Sequence, residues 1–477
     1  MEKRNKCPLV KKCGGCNLCG ETYEEYLKKK EDELNSLLGE YTSDLYDPHI
    51  RVLGMKDPYH YRHKVTAAFS YKKGEIISGI YEKNSHRVLK SDSCFIENET
   101  ADKIIVTIRS LLKSFKIKVY DEDTGYGLLR YVMVRVGKAT GQVMVILVVS
   151  DPVFPSKNNF VKELVKRHPE ITTVILNVNS RTDSMVLGER NIKLYGPGKI
   201  EDSLCNVRYN ISPQAFFQVN PEMTEKIYRT AIDFAKLKKT DKVIDAYCGI
   251  GTIALTASSH VEEVTGVELN HDAIEDAIEN SYKNRIKNVR FIAGDAGDFM
   301  QEAAADGVKA DVVFMDPPRT GSTLEFINAI FAMEPSRVVY VSCNPETLKR
   351  DLKQLTKKYK VKRIMGFDQF PWTEHVETVC LLSQRKPDTT IEVDLDISAL
   401  EVSSAETKAT YEEIKSYVLK KFGLKVSNLY IAQVKRECGI VERINYNLPK
   451  TEGNRVPQCP EDKRKAIKDA FIHFQMI

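Results

Sequence analysis

Apolar positions follow two rhythms along this chain. Between about residues 50 and 215 they form short runs separated by turn residues. Val65 to Phe69, Ile76 to Tyr81 and Arg130 to Val136 are predicted strands, and Gln142 to Val149 is predicted to pair with the last of them through the turn Gly137-Lys138-Ala139-Thr140-Gly141. From about residue 240 the rhythm changes. Short apolar strands (Lys242 to Asp245, Val264 to Glu268, Val289 to Ile292, Asp311 to Asp316, Val338 to Ser342) alternate with helical patterns such as Asp272 to Asn284. Parallel strands need long crossovers, and a helix supplies each one, so the alternation predicts a doubly wound parallel α/β sheet. A charged linker, Gln384 to Asp388, then leads to a small module whose helices, the second over about Asn428 to Glu437, read as a helix-turn-helix pair.

The longest purely apolar run, Val143 to Val149, is far shorter than the roughly 20 residues a membrane-spanning helix needs. The amino terminus, Met-Glu-Lys-Arg-Asn-Lys-Cys, lacks the apolar stretch of a secretory signal, so the cytoplasm is the expected compartment. Net charge is only +5, but its distribution is uneven. Residues 101–200 hold 16 basic against 9 acidic side chains and residues 401–477 hold 14 against 10, whereas residues 201–400 hold 24 against 31. A mildly acidic middle flanked by basic segments fits a small-molecule domain carried between surfaces that meet a polyanion.

Eleven cysteines, an odd number in a large chain, argue against a disulfide framework. Four of them, Cys7, Cys13, Cys16 and Cys19, fall within thirteen positions, interleaved with Gly14, Gly15 and Gly20, which let the backbone bend so that thiolates converge. This is metal or iron–sulfur spacing, and zinc and an iron–sulfur cluster both accept it.

Three further segments carry chemistry. Asp245-Ala246-Tyr247-Cys248-Gly249-Ile250-Gly251-Thr252 follows an apolar strand and opens a helix, and Glu268 closes the next strand 19 residues after Gly249. Gly249 and Gly251 permit close backbone approach to a nucleoside, Glu268 is spaced to accept hydrogen bonds from ribose hydroxyls, and Asp295, ending the third strand, is placed at the adenine end. Asp316-Pro317-Pro318-Arg319 ends the fourth strand, where the prolines hold Asp316 on a rigid support. Cys343, in Ser342-Cys343-Asn344-Pro345, sits where a strand gives way to a helix, with Asn344 as N-cap and Pro345 at the first helical position. The helix dipole there is expected to favour the thiolate, as a nucleophile requires. Glu377 begins the last apolar strand, as either a general base or a strand-edge charge.

These segments, together with Tyr61-Arg62-His63-Lys64, Gly127-Leu128-Leu129-Arg130, the run Ser212 to Asn220 and His375-Val376-Glu377, occur in an order that resembles the iron–sulfur-containing RNA (uracil-5-)-methyltransferases acting on 23S ribosomal RNA. The resemblance covers roughly residues 1–385. It implies a Rossmann-like class I methyltransferase domain at 216–385, a β-rich RNA-binding domain at 51–215 and an amino-terminal cysteine cluster and helix at 1–50; residues 386–477 lie outside the match and are read from their own pattern as a small α-rich accessory module. It further implies that Cys343 attacks carbon 6 of a flipped uridine, that carbon 5 then takes a methyl group from S-adenosylmethionine, and that Glu377 removes the carbon 5 proton. Gln218, Tyr247, Gly249, Gly251, Thr252, Glu268, Asp295 and Asp316 are the implied cofactor and uracil residues, Asp316 also serving catalysis. The family's [4Fe-4S] cluster takes its fourth ligand from the next domain, which points to Cys7, Cys13, Cys16 and Cys94, with Cys94 preferred over Cys19. A monomer acting on RNA, with no membrane association, is expected. Transfer RNA is the rival substrate, and a non-catalytic RNA-binding factor on the same fold is the rival class.

Overall fold

The computed structural model describes residues 7–17, 20–385, 411–438 and 459–474. They belong to two compact units, Met1–Asp388 and Thr389–Ile477.

The first unit holds two large sheets. One has eight strands in the order Val52–Leu53, Tyr359–Phe367, Glu377–Gln384, Arg337–Ser342, Val312–Met315, Lys242–Ala246, Glu263–Glu268, Val289–Ala293. All neighbours are parallel except Glu377–Gln384, which runs antiparallel to both strands beside it. The alternating strands and helices read from the sequence therefore form a doubly wound sheet with one reversed strand. The two-residue strand Val52–Leu53 joins this sheet although the chain around it belongs to the β-rich region.

The second sheet has seven strands in the order Val88–Lys90, Glu75–Tyr81, Lys64–Lys72, Leu129–Val136, Val143–Val149, Ile171–Val178, Arg190–Tyr195. Leu129–Val136 and Val143–Val149 form the expected antiparallel pair, and all seven residues of Val143–Val149 are buried. Both faces of that strand are covered, which explains its unbroken apolar run. On one side Val143, Val145 and Leu147 pack with the helices Glu99–Ser114 and Lys157–Arg167. On the other Met144, Ile146 and Val148 share a core with the hairpin strands Ile200–Leu204 and Val207–Ile211 and with the helix Pro221–Ala235. That shared core fixes the β-rich region against the doubly wound sheet.

The helix Tyr23–Leu38 starts with a capping box between Thr22 and Glu25 and buries Tyr26, Lys30, Leu34 and Leu38. Leu34 and Leu38 pack in the same core as Leu348 and Leu352 of the helix Pro345–Leu355.

In the second unit the helices Tyr411–Phe422, Asn428–Glu437 and Glu461–His473 close a small core around Ile414, Val418, Ile431, Val434, Ile467 and Phe471. The predicted helix pair is thus completed by a third helix. Among the described residues no helix is long and apolar enough to cross a membrane.

Candidate active site

The chain leaves the strand Lys242–Ala246, builds outward to the edge at Val289–Ala293, and returns to place Val312–Met315 on the other side of its starting strand. Open α/β sheets bind ligands at the carboxyl ends of the strands where the order reverses in this way. Here those ends open into a cavity of about 660 Å3, whose wall includes Gln218, Tyr247, Gly249, Thr252, Glu268, Asp295, Asp316, Cys343 and Glu377. Gly251 does not line it but shapes the turn. With φ +80°, a Cβ there would lie 2.7 Å from Cζ of Phe291, so only glycine fits. Tyr247, also at positive φ (68°), is held in a conformation few side chains tolerate.

The carboxylate of Glu268 accepts hydrogen bonds from the backbone N–H groups of Gly249 (3.0 Å) and Asn270 (2.9 Å). It braces the glycine turn, and each oxygen keeps a further lone pair for a ligand hydroxyl. Asp295 caps the helix Ala296–Ala305, its Oδ1 accepting from the N–H groups of Gly297 and Asp298. Asp245 was not singled out for binding by the sequence, yet it lines the cavity with Oδ1 buried and lacking a protein partner, while Oδ2 accepts from the N–H of Ala254. Five carboxyl groups (Asp245, Glu268, Asp295, Asp316, Glu377) therefore face a cavity in which Arg319 is the one Lys or Arg among the described lining residues. Burial raises Asp245, Asp316 and Glu377, so the lining offers protonated carboxyls as well as carboxylates, and a cationic ligand would favour their ionised forms.

Cys343, Asp316 and Glu377 meet because of how the strands end. The antiparallel ladder between Arg337–Ser342 and Glu377–Gln384 stops at the pair Ser342 and Thr378, so the next residues outward are Cys343 and Glu377. Asn344 caps the helix Pro345–Leu355 by accepting from the N–H of Glu346, as its position predicts. The carbonyl of Arg319 accepts from Nδ2 of Asn344 (3.2 Å) and Oγ1 of Thr347 (3.4 Å), which ties the Asp316-to-Arg319 loop to the helix that follows the cysteine. Cys343 and Arg319 also line a second, open groove of about 790 Å3 with Lys30, Leu34 and His375, so the thiol stands between two cavities.

The electrostatics correct one expectation. The Cys343 thiol is not shifted toward the thiolate but pushed up to about 11, first by burial and then by the neighbouring carboxyl groups of Glu377 and Asp316, with Arg319 opposing. Desolvation and two adjacent acids outweigh a dipole acting on a half-buried group. Burial raises Glu377 to about 8, Asp316 adding to it and Arg319 opposing, and burial alone raises Asp316 to about 7. Near neutral pH the two carboxyls thus hold protons for much of the time, which lowers the repulsion felt by a thiolate.

In the cysteine segment, the N–H of Gly15 donates to Sγ of Cys13 (3.2 Å), and the thiols of Cys7 and Cys16 act on Cys13 electrostatically. Cys7, Cys16 and Cys94 pack around a cluster centred on Tyr26, Tyr61, Ile96 and Trp372. Cys19 lies outside the described residues. Among the described residues no three of these sulfurs come within 4.8 Å of one another; the one grouping that does is the exposed His271, Asp272 and Glu275.

Fold and cavity together define a Rossmann-like class I methyltransferase. The sequence profile of the tRNA (uracil-5-)-methyltransferase family matches residues 22–385, and the chain belongs to that family. It is 39% identical over 380 residues to an uncharacterized RNA methyltransferase of Halalkalibacterium halodurans (79% of this chain, 82% of that protein). It is 40% identical over 381 residues to another from Clostridium tetani (79% and 82%). Among solved structures it is similar to the Pyrococcus abyssi tRNA (uracil-54, C5)-methyltransferase in complex with S-adenosyl-L-homocysteine, with a TM-score of 0.64, 28% identity and coverage of 79% of this chain and 87% of that one.

Proposed function

We propose that this protein methylates carbon 5 of a specific uridine in RNA, 23S ribosomal RNA by preference, through a covalent adduct on Cys343. The observation that carries the reading is the juxtaposition of the Cys343 thiol, the buried carboxyl of Glu377 and the half-buried carboxyl of Asp316 on the wall of the same cavity as the Gly249 turn and Glu268. S-adenosylmethionine, whose sulfonium and ammonium groups suit the acidic lining, would supply an electrophilic methyl group there, with Gln218, Tyr247, Gly249, Thr252, Glu268, Asp295 and Asp316 holding it beside the base.

Carbon 5 of uracil is too weak a nucleophile unaided. Once the Cys343 proton has passed to solvent, addition of the sulfur to carbon 6 turns carbon 5 into an enolate-like carbon, and Asp316, while protonated, can donate a hydrogen bond to the oxygen where that charge collects. After methyl transfer Glu377 takes the proton from carbon 5, and the carbon–sulfur bond breaks to release Cys343. A base must be ionised to act, and Glu377 is raised to about 8. The rate of product release is therefore expected to climb about tenfold per pH unit below pH 7 and to level off above about pH 8. A single-turnover pH profile that is flat from pH 6 to 9 would contradict this assignment.

Cys7, Cys13, Cys16 and Cys94 would hold a [4Fe-4S] cluster, which cross-links the amino-terminal segment to the β-rich region. Anaerobically purified protein is expected to be brown, with about four irons per chain, and Cys94→Ser is expected to bleach it more than Cys19→Ser. About one zinc per chain would overturn the assignment. Residues 51–215 are proposed as the main RNA-binding domain and residues 386–477 as a helical accessory.

The name of the family and the activity of the Pyrococcus abyssi neighbour favour a second reading, with transfer RNA as substrate. Mapping 5-methyluridine in ribosomal and transfer RNA from cells with and without the gene decides between the two. Unchanged 5-methyluridine in both would remove the proposed function.

A further inference from the structure

The amphipathic helix Tyr23–Leu38 carries one residue its apolar stripe does not explain. Tyr26, Leu34 and Leu38 are buried at helical spacing, and Lys30 is buried between them at 3% exposure. Its ammonium is not spent on a simple ion pair. Nζ donates to Oδ1 of Asp368 (2.6 Å), to the carbonyl of His375 (2.7 Å) and to the carbonyl of Phe370 (3.4 Å). Two of those acceptors lie near the beginning and one near the end of the segment that joins the strand Tyr359–Phe367 to the strand Glu377–Gln384. Tyr61 and Asn220 also hold this segment, through the carbonyls of Pro371 and Gln369, but Lys30 alone among these three reaches the carbonyl of His375, two residues before Glu377.

Asp368 is itself fastened. Its Oδ2 accepts from the phenol of Tyr23 (2.5 Å), one turn-pair earlier on the same helix, and its N–H donates to the carbonyl of Leu53. Phe370 lines the cofactor cavity and His375 the open groove, so the segment forms wall for both. A buried ion pair alone would serve stability as well in many other places. Two backbone carbonyls gathered from either end of one loop is the arrangement of a device that sets the path of that loop.

We propose that Lys30 is a positioning residue for the reaction: by holding the 368–376 segment it places the Glu377 carboxylate for removal of the carbon 5 proton. The inference rests on the reading of Glu377 as the base. Cys343 is carried on a different strand and its own capped helix, so loss of Lys30 should affect the resolution of the RNA adduct more than its formation.

The test uses the full-length protein with its RNA substrate and S-adenosylmethionine, and follows adduct formation and adduct release separately in single-turnover reactions on denaturing gels. Lys30→Met is expected to slow release at least about tenfold while formation and the KM for RNA stay within about threefold, since a displacement near 1 Å of a catalytic group can cost a hundredfold. Lys28→Met, on the exposed face of the same helix, is expected to match the parent protein. Equal slowing of formation and release, or no change in either, would overturn the proposal. Should Lys30→Met fail to fold, Tyr23→Phe, which removes one hydroxyl from Asp368, carries the test with the same outcomes at smaller size. Glu377→Gln is run beside it. If that variant releases product normally, the reading of Glu377 is wrong; if it traps the adduct and neither Lys30→Met nor Tyr23→Phe does, only the positioning role falls.

Discussion

Cys343→Ala is expected to lose turnover by at least about four orders of magnitude, because removing the nucleophile of a covalent enzyme costs on that scale or more when no second group can take its place. The other cavity-lining cysteine, Cys248, is buried, and desolvation pushes its thiol well above the ordinary cysteine range. It is no substitute. S-adenosylmethionine affinity is expected to stay within about threefold, since the thiol is asked to attack the base rather than to hold the cofactor. The fold should survive as well, because Cys343 is only half-buried and its loss removes one small polar atom at a loop, worth about 1 kcal/mol. Isothermal titration with the cofactor, alongside a methyl-transfer assay, separates the two effects. Residual turnover above one percent would require another nucleophile.

Glu377→Gln is expected to do the opposite to the covalent species, trapping it instead of preventing it. Without a base the carbon 5 proton stays, and release of the methylated RNA should slow by about two to four orders of magnitude, the usual contribution of a positioned general base. A band of protein linked to RNA on a denaturing gel, carrying label from the methyl donor, is the diagnostic product. The substitution should be well tolerated by the fold. Glu377 is 5% exposed and burial holds its pKa near 8, well above its value in the unfolded chain, so the carboxyl's contribution to stability falls as pH rises through that interval. An amide of the same shape escapes that loss. Thermal melts should therefore show the Gln variant gaining on the parent protein above pH 8 and losing that gain near pH 5.

The two effects are large for one geometric reason. The ladder ends at Ser342 and Thr378, and the proposed nucleophile and base are the residues just beyond it on either strand. A reversed strand in an otherwise parallel sheet is what brings the start of one strand against the end of another. Had Glu377–Gln384 run parallel to its neighbour, Glu377 would stand at the opposite edge of the sheet from Cys343.

Much of this protein was legible from local pattern. The apolar runs of the doubly wound region, the Gly249 and Gly251 turn, Glu268 at the end of the next strand, and Asn344 and Pro345 opening a helix after Cys343 depend on contacts between residues close in sequence or on the period of an element. Such features are written into the chain wherever it goes. The all-apolar run Val143 to Val149 announced a strand, but only the packing shows why it is apolar throughout, with helices on one face and the Ile200 hairpin on the other. What no local pattern could supply was relation between distant segments. The raised pKa of Cys343 arises first from burial and then from the carboxyls of Glu377 and Asp316, brought alongside from other strand ends, and it reverses the sign expected from its own helix. Lys30 stood in plain view as a lysine on the apolar stripe of its helix, yet its partners Asp368, Phe370 and His375 are more than 330 residues away. Charge and hydrogen bonding act through space over a few ångströms, so the elements are determined by sequence neighbours, whereas protonation states and loop positions are decided by whichever residues folding brings alongside.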